Sequence, residues 1–331
     1  MRLYMFDGND AYRGRDSIEF RNDKLDSCGR MGFIIQTKEN KIIVIDGGWW
    51  VDEESLSRLI YQVSGQSTVH AWFITHQHPD HIGAVAAALS RLAGNPTAPG
   101  RPNDAPTLQI VSLYANILSE EALQQYAPHE MTLVREMFSQ NPTGATTCVA
   151  ITREFLANAA KAGIITARTS LADKFQFDEV TIRVLSKPID EDEMHLYTGG
   201  LVNDNSVVLG VSAGDWLRSA LFLGDLGVKG MARLHSTHGD DVDRALGSRW
   251  LQLAHHGNSD DDPFVEQFYR SFKWDKPLWP LDSIDFRQPP AEVTKPIIRS
   301  IMTDRFGSDA GWDDYVAGYR PNWYTSIPIN S

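Results

Sequence analysis

The hydrophobic pattern falls into two strand-rich zones with a helical zone between them. Residues 31–37 and 41–46 are β-branched runs separated by Lys38-Glu39-Asn40, which predicts a hairpin. The second run ends in Asp46-Gly47-Gly48, where glycine permits a sharp turn. Asp52-Glu53-Glu54-Ser55 then opens a helical pattern through Leu56, Leu59 and Ile60. Residues 69–74 read as a short buried strand, and residues 82–92 as a helix stopped by Gly94-Asn95-Pro96. A Pro/Gly/Asn/Ala-rich loop over 95–106 precedes another strand at 108–114. Helical spacing resumes between 119 and 162, with pairs such as Leu123 and Tyr126, Leu133 and Met137, and Phe155 and Ala159. Strands return at 180–185, 206–211, 220–223 and 251–254. Strands, helices and strands again, without an internal repeat, predict an α+β sandwich with helices outside two sheets.

Composition narrows this picture only slightly. The 331 residues allow one large domain or two smaller ones, and the apolar and charged fractions are those of a globular enzyme. A net charge of −12 disfavours broad nucleic-acid binding, because a polyanion would be repelled over most of the surface. The two cysteines, Cys28 and Cys148, form no CxxC pair and imply no disulfide framework; both read as small buried apolar residues. The first residues lack an apolar signal core, and no apolar run is long enough to span a bilayer, so a cytoplasmic, membrane-free protein is expected.

The densest chemistry is Thr75-His76-Gln77-His78-Pro79-Asp80-His81, three imidazoles and a carboxylate directly after a buried strand. His76 and His78 can point one way from an extended segment, and Asp80 and His81 toward a second point nearby. Neutral nitrogen with anionic oxygen suits Zn²⁺, and also Mn²⁺ or Fe. An ion needs about four ligands, so further donors are expected at later strand ends. Asp225, between two glycines after the apolar run 221–223, could bridge two cations. His255 and His256 follow another apolar run and precede Gly257. The acidic runs 190–193 and 260–262 read as solvated loops, and His235 and His238 as surface residues. No phosphate loop, dinucleotide fingerprint or serine nucleophile elbow is present.

HxHxDH, then Gly-Asp, then His-Gly, with Asp46-Gly47-Gly48 ahead of them, resembles the metallo-β-lactamase fold superfamily. The resemblance implies an αββα four-layer sandwich over residues 1–331, with a helical insertion around 115–165 and a site at one edge between the sheets. It implies His76 and His78 as first-site ligands, and Asp80, His81 and His256 as second-site ligands, with Asp225 as the bridge. His256 is preferred over His255, which with Asp80 becomes a proton relay. Asp46 is expected to orient the His loop from behind. Trp49 and Trp50 are expected to wall the substrate entrance, and loops near Trp49, at 95–106 and at 186–200 to set specificity.

One departure stands out. The family usually supplies another His about twenty residues before the bridging Asp, where this chain has Asn203 and Asn205. Those two, or His195, are the candidates to complete the first site; His129 is more distant still. Asn-Asp-Asn-Ser, Leu-Gly-Asp and Ala-His-His-Gly-Asn are similar to the hydrolase domain of bacterial competence (DNA-uptake) proteins and its stand-alone relatives, as are 276–280 and 314–318. The expectation is a hydrolase with one or two divalent ions and a small-molecule substrate, a phosphoester first. Acyl bonds (thioester, lactone or β-lactam) are the alternative, and a degenerate metal-binding or regulatory protein is the alternative of another class.

Overall fold

Side chains alternate across a strand, so a run apolar at every position must be buried on both faces. That is the state of Gly32–Gln36 (β2) and Ile42–Asp46 (β3) in the computed structural model, which describes residues 1–6, 31–95, 106–132, 147–257, 262–278, 296–306 and 324–328. Phe33, Ile35, Ile43 and Ile45 face a second sheet, whereas Ile34, Ile42 and Val44 face helices.

Among the described residues the first sheet has seven strands. Tyr324–Pro328 and Arg2–Phe6 (β1) lead into β2 and β3, followed by Ala71–Ile74, Leu113–Ala115 and Thr166–Ala167. The second sheet has six: Trp274–Leu278, Ser248–Gln252, Ser219–Phe222, Leu209–Ser212, Val180–Val184 and Lys174–Phe177. Between them lies a shared core, where the Phe33 and Phe222 rings meet edge-on at 4.8 Å. Helices Glu53–Ser64, Pro79–Leu92 and Cys148–Lys161 cover the outer face of the first sheet. Helices Val228–His238, Pro263–Arg270 and Pro296–Phe306 cover that of the second. The result is the expected αββα sandwich, and no helix of the described residues is long and apolar enough to cross a membrane.

Several element boundaries differ from the sequence reading. The strand expected at 108–114 is two strands: Gln109–Ile110 pairs with Thr68–Val69, and Leu113–Ala115 joins the large sheet. Val111 points to solvent and Ser112 accepts a hydrogen bond from Trp72 N (2.9 Å), so the chain steps from one pairing to the other. The helix expected at 82–92 starts at Pro79, whose fixed φ and missing N–H suit a first helical position. Residues 206–208 are not strand; Val207 N instead donates to Thr75 O (2.7 Å) and ties this segment to the His motif. The strand expected at 251–254 is Ser248–Gln252, followed by a tight turn at Ala254–Gly257. Helices Glu120–Tyr126, His129–Thr132 and Cys148–Lys161 occupy the zone expected to be helical. Cys28, the Leu133–Met137 pair, most of the 95–106 loop, and residues 260, 261, 279, 280 and 314–318 lie outside the described residues.

Candidate metal centre

Parallel strands present their carboxyl ends at one edge, and the candidate ligands sit just past those ends. Asp46 closes β3, the His motif follows Ala71–Ile74, Asp225 follows Ser219–Phe222, and His255 and His256 follow Ser248–Gln252. Each turn is bent by local backbone geometry. Asp46, His255 and His256 have φ of 54°, 51° and 54°, left-handed values that cost non-glycine residues energy and mark sites held by their surroundings. Gly224 has φ 59°, and a Cβ there would come within 2.9 Å of both Thr75 and Ser206, so only glycine lets this turn approach the His motif.

The donors form two buried clusters that share Asp225. His76, His78 and Asp225 make the first, and Asp80, His81, Asp225 and His256 the second; within each, ligand atoms all lie within 4.8 Å of one another. In the first, His76 Nε2 is 3.1 Å from His78 Nδ1 and 3.9 Å from Asp225 Oδ2. In the second, Asp225 Oδ1 is 3.2 Å from His81 Nε2 and 3.7 Å from His256 Nε2, and Asp80 Oδ2 is 3.2 Å from His256 Nε2. Asp225 thus turns one oxygen to each cluster. His255 Nε2 lies 3.9 Å from Asp225 Oδ2, on the first-cluster side, and its side chain is 39% exposed.

Outer carboxylates fix the ring orientations. An ionised carboxylate only accepts hydrogen bonds, so the nitrogen facing it carries the proton. Asp46 Oδ2 takes the Nδ1–H of His81 (2.8 Å), leaving Nε2 for the cluster. The same carboxylate accepts from Thr75 N and Thr75 Oγ1, both at 2.8 Å. Asp46 therefore orients the motif from behind and faces no cluster directly. With the Thr75 hydroxyl proton committed to Asp46, its oxygen can accept from His76 Nδ1 (3.2 Å), which frees His76 Nε2.

The field inside is strongly negative. Burial pushes the His81 imidazole down, but the Asp225, Asp46 and Asp80 carboxylates outweigh it and hold His81 well above its ordinary range. Burial raises Asp225, yet His81, His256 and His255 hold it well below the usual carboxylate range; Asp80 is likewise depressed by His81 and His256. Burial, then the neighbouring His81, takes His76 well below its usual value. The buried carboxylates thus draw positive charge into the site, a role that cations can fill.

The donor set fits divalent metal. Tetrahedral Zn–N bonds imply ligand atoms roughly 3.3 Å apart, close to the 3.1 to 3.9 Å spacings here. His81 Nε2 and Asp225 Oδ1 are buried, and neither makes a hydrogen bond among the described residues. Orphaned polar atoms at a buried site call for a missing partner.

Other sequence candidates fare differently. Trp49 and Trp50 do not wall an entrance. They are 1% and 5% exposed and pack into the core beneath helix Pro79–Leu92, which approaches so closely that a Cβ at Gly83 would lie 2.4 Å from Trp50 N. Asn205 is committed to structure: its Oδ1 accepts from Ile189 N (3.0 Å) and its Nδ2 donates to Asn116 O (3.2 Å). Asn203 Oδ1 is buried without a hydrogen-bond partner, so it makes no such bond to either first-cluster imidazole. His195 is exposed, with Nδ1 against Asp192 O (2.8 Å), and joins neither cluster. His235 and the partly buried His238 also stand apart, the latter bonded to Leu185 O (2.9 Å).

One residue at this site escaped the sequence reading. Glu130, on helix His129–Thr132, is buried with Oε1 3.0 Å from His78 Nε2. The only signal was a carboxylate between the apolar Ala127 and Met131.

Residues 29–104 match the sequence profile described as "Metallo-beta-lactamase superfamily". Among solved structures, a HARLDQ-motif metallo-β-lactamase mutant (S60) from Cronobacter sakazakii is similar at 12% identity and a TM-score of 0.39, covering 67% of this chain and 70% of that one. YhfI from Bacillus subtilis, described as a metallo-β-lactamase fold protein, is similar at 11% identity and a TM-score of 0.35, covering 76% and 70%. Zn²⁺-bound PqqB from Methylobacterium extorquens is similar at 13% identity and a TM-score of 0.32, covering 76% and 70%. No curated protein matches significantly.

Proposed function

We propose that this chain, a member of the metallo-β-lactamase superfamily, is a metal-dependent hydrolase of phosphoesters with two divalent cations, zinc foremost. The observation that carries this reading is the division of Asp225, one oxygen toward His76 and the other toward His81 and His256. A carboxylate so placed would hold two cations at once, and a cation pair would suit the attacking and leaving oxygens of phosphoryl transfer. When bound, such cations lower the pKa of water and polarise a substrate oxygen. The preference for phosphoesters over acyl bonds also follows the resemblance to the competence-protein hydrolase domain.

The chain's own residues divide the remaining work. His76, His78, Asp80, His81, Asp225 and His256 hold the centre, and Asp46 and Thr75 fix the rings of His81 and His76. His255 is the proton carrier: it lies against Asp225 yet keeps contact with solvent, whereas Asp80 is buried against His256. The substrate is a small molecule, consistent with the acidic net charge.

Elemental analysis combined with turnover of phosphomonoesters, phosphodiesters, esters, lactones and β-lactams tests the proposal. Two ions per chain with phosphoester turnover is the expected result. Turnover of acyl substrates alone would reassign the reaction, and fewer than one ion with no turnover would contradict a hydrolase.

A further inference from the structure

The first cluster holds two imidazoles and the shared Asp225 carboxylate, and a further buried carboxylate, Glu130, stands behind it. The two nitrogens of His78 face opposite ways: Nδ1 lies 3.1 Å from His76 Nε2, and Nε2 lies 3.0 Å from Glu130 Oε1. Glu130 is therefore on the far side of the ring from the cluster and belongs to neither ligand group. An ionised carboxylate accepts only, so Nε2 carries the ring proton and Nδ1 keeps its lone pair for a cation. Asp46 does the same for His81 with the nitrogens exchanged, through Nδ1. Each cluster thus has a carboxylate behind one of its imidazoles, and the two carboxylates come from different parts of the fold. Asp46 ends a central strand, whereas Glu130 rides on a four-residue helix outside both sheets.

We propose that Glu130 is a positioning residue that holds His78 in its Nε2–H tautomer, and so sets how tightly the His76–His78–Asp225 cluster binds its cation. Held in this way, His78 presents the lone pair of Nδ1 to the cluster in a fixed orientation. The same Glu130 oxygen lies 3.2 Å from Nε2 of His129, whose side chain is 48% exposed. The helix therefore links the first cluster to the surface, and a displacement of the helix would loosen that cluster alone.

This inference rests on the two-cation reading, and the test separates them. The metal-stripped full-length protein is titrated with Co²⁺, followed by visible absorption and calorimetry, beside E130Q and E130M. Gln still accepts from His78 Nε2–H, whereas Met fills the space without accepting strongly. Native protein is expected to take up two equivalents in distinguishable phases. E130M should weaken one phase ten- to a hundred-fold and alter the absorption bands of that equivalent, leaving the other unchanged. E130Q should recover most of the loss, with unfolding midpoints confirming that both variants are folded. Two native-like phases in folded E130M would overturn the role of Glu130 alone. A native protein that takes up no Co²⁺ would overturn both this role and the proposed centre.

Discussion

The two clusters are built to different standards. In the second, His81 is backed by Asp46, and Asp46 is itself fixed by two hydrogen bonds from Thr75. Every part of that assembly lies at the end of a strand or in the first turn of helix Pro79–Leu92. The first cluster has two imidazoles and a shared carboxylate; Thr75 backs His76, and His78 is backed by a glutamate on a short helix. Scaffold rigidity decides how closely ligands keep their geometry. The second site should therefore bind its cation more tightly, and the first should respond more to changes at the periphery.

The largest effect is expected where the clusters meet. D225A should cost both sites affinity and reduce turnover by about 10³-fold or more, as loss of a cation clamp removes both nucleophile activation and charge stabilisation; steady-state kinetics with elemental analysis check this. H255A comes next. Loss of a proton carrier lowers kcat by roughly 10²-fold with the ion content unchanged, and single-turnover measurements would place the loss in the chemical step. D46N should then weaken the second Co²⁺ phase most, by about ten- to a hundred-fold, with a smaller effect on the first through Thr75 and His76. If D46N and E130M weakened the same phase most, the two-scaffold distinction would fail.

The smallest effect concerns the segment where a third imidazole was expected. Asp204, between Asn203 and Asn205, accepts a hydrogen bond from Gly230 N (2.8 Å) near the start of helix Val228–His238. Burial raises its pKa to about 6, against the opposing pull of Gly230 N–H, Lys229 and Arg233. An acid raised in the folded state adds stability that is complete below its unfolded pKa near 3.8 and is lost as pH rises through about 6. Asparagine keeps the acceptor without the charge, so D204N should gain on the native protein between pH 4 and 7, by at most roughly 3 kcal/mol. Denaturant unfolding at the two pH values measures the gap. Both Co²⁺ phases should remain native, because this segment is scaffold.

Legibility in the sequence followed locality. Both sheets were readable because β-branched runs carry their burial with them, and HxHxDH gathers its imidazoles and carboxylate within six residues. Asp225 and His256 were readable because the same design, an apolar strand followed by a polar turn, recurs at each. Trp49 and Trp50 misled because adjacency to Asp46-Gly47-Gly48 in sequence says nothing about direction; the chain turns them inward under helix Pro79–Leu92. Glu130 was invisible for the opposite reason. It meets His78 across 52 residues of chain, and an acidic residue in a short helix carries no local mark of burial. The pair His255–His256 could be ranked but not separated in role until their left-handed backbone showed His256 against Asp80 and His255 against the other side of Asp225.

The central claim is that Asp225 joins two cation sites of unequal strength. Calorimetric titration of the metal-stripped protein with Zn²⁺ tests it most directly, with native protein and D225A compared under the same conditions. Two unequal binding phases in the native protein, both weakened in D225A, are predicted. A single phase in the native protein, or two phases that survive in D225A, would contradict it.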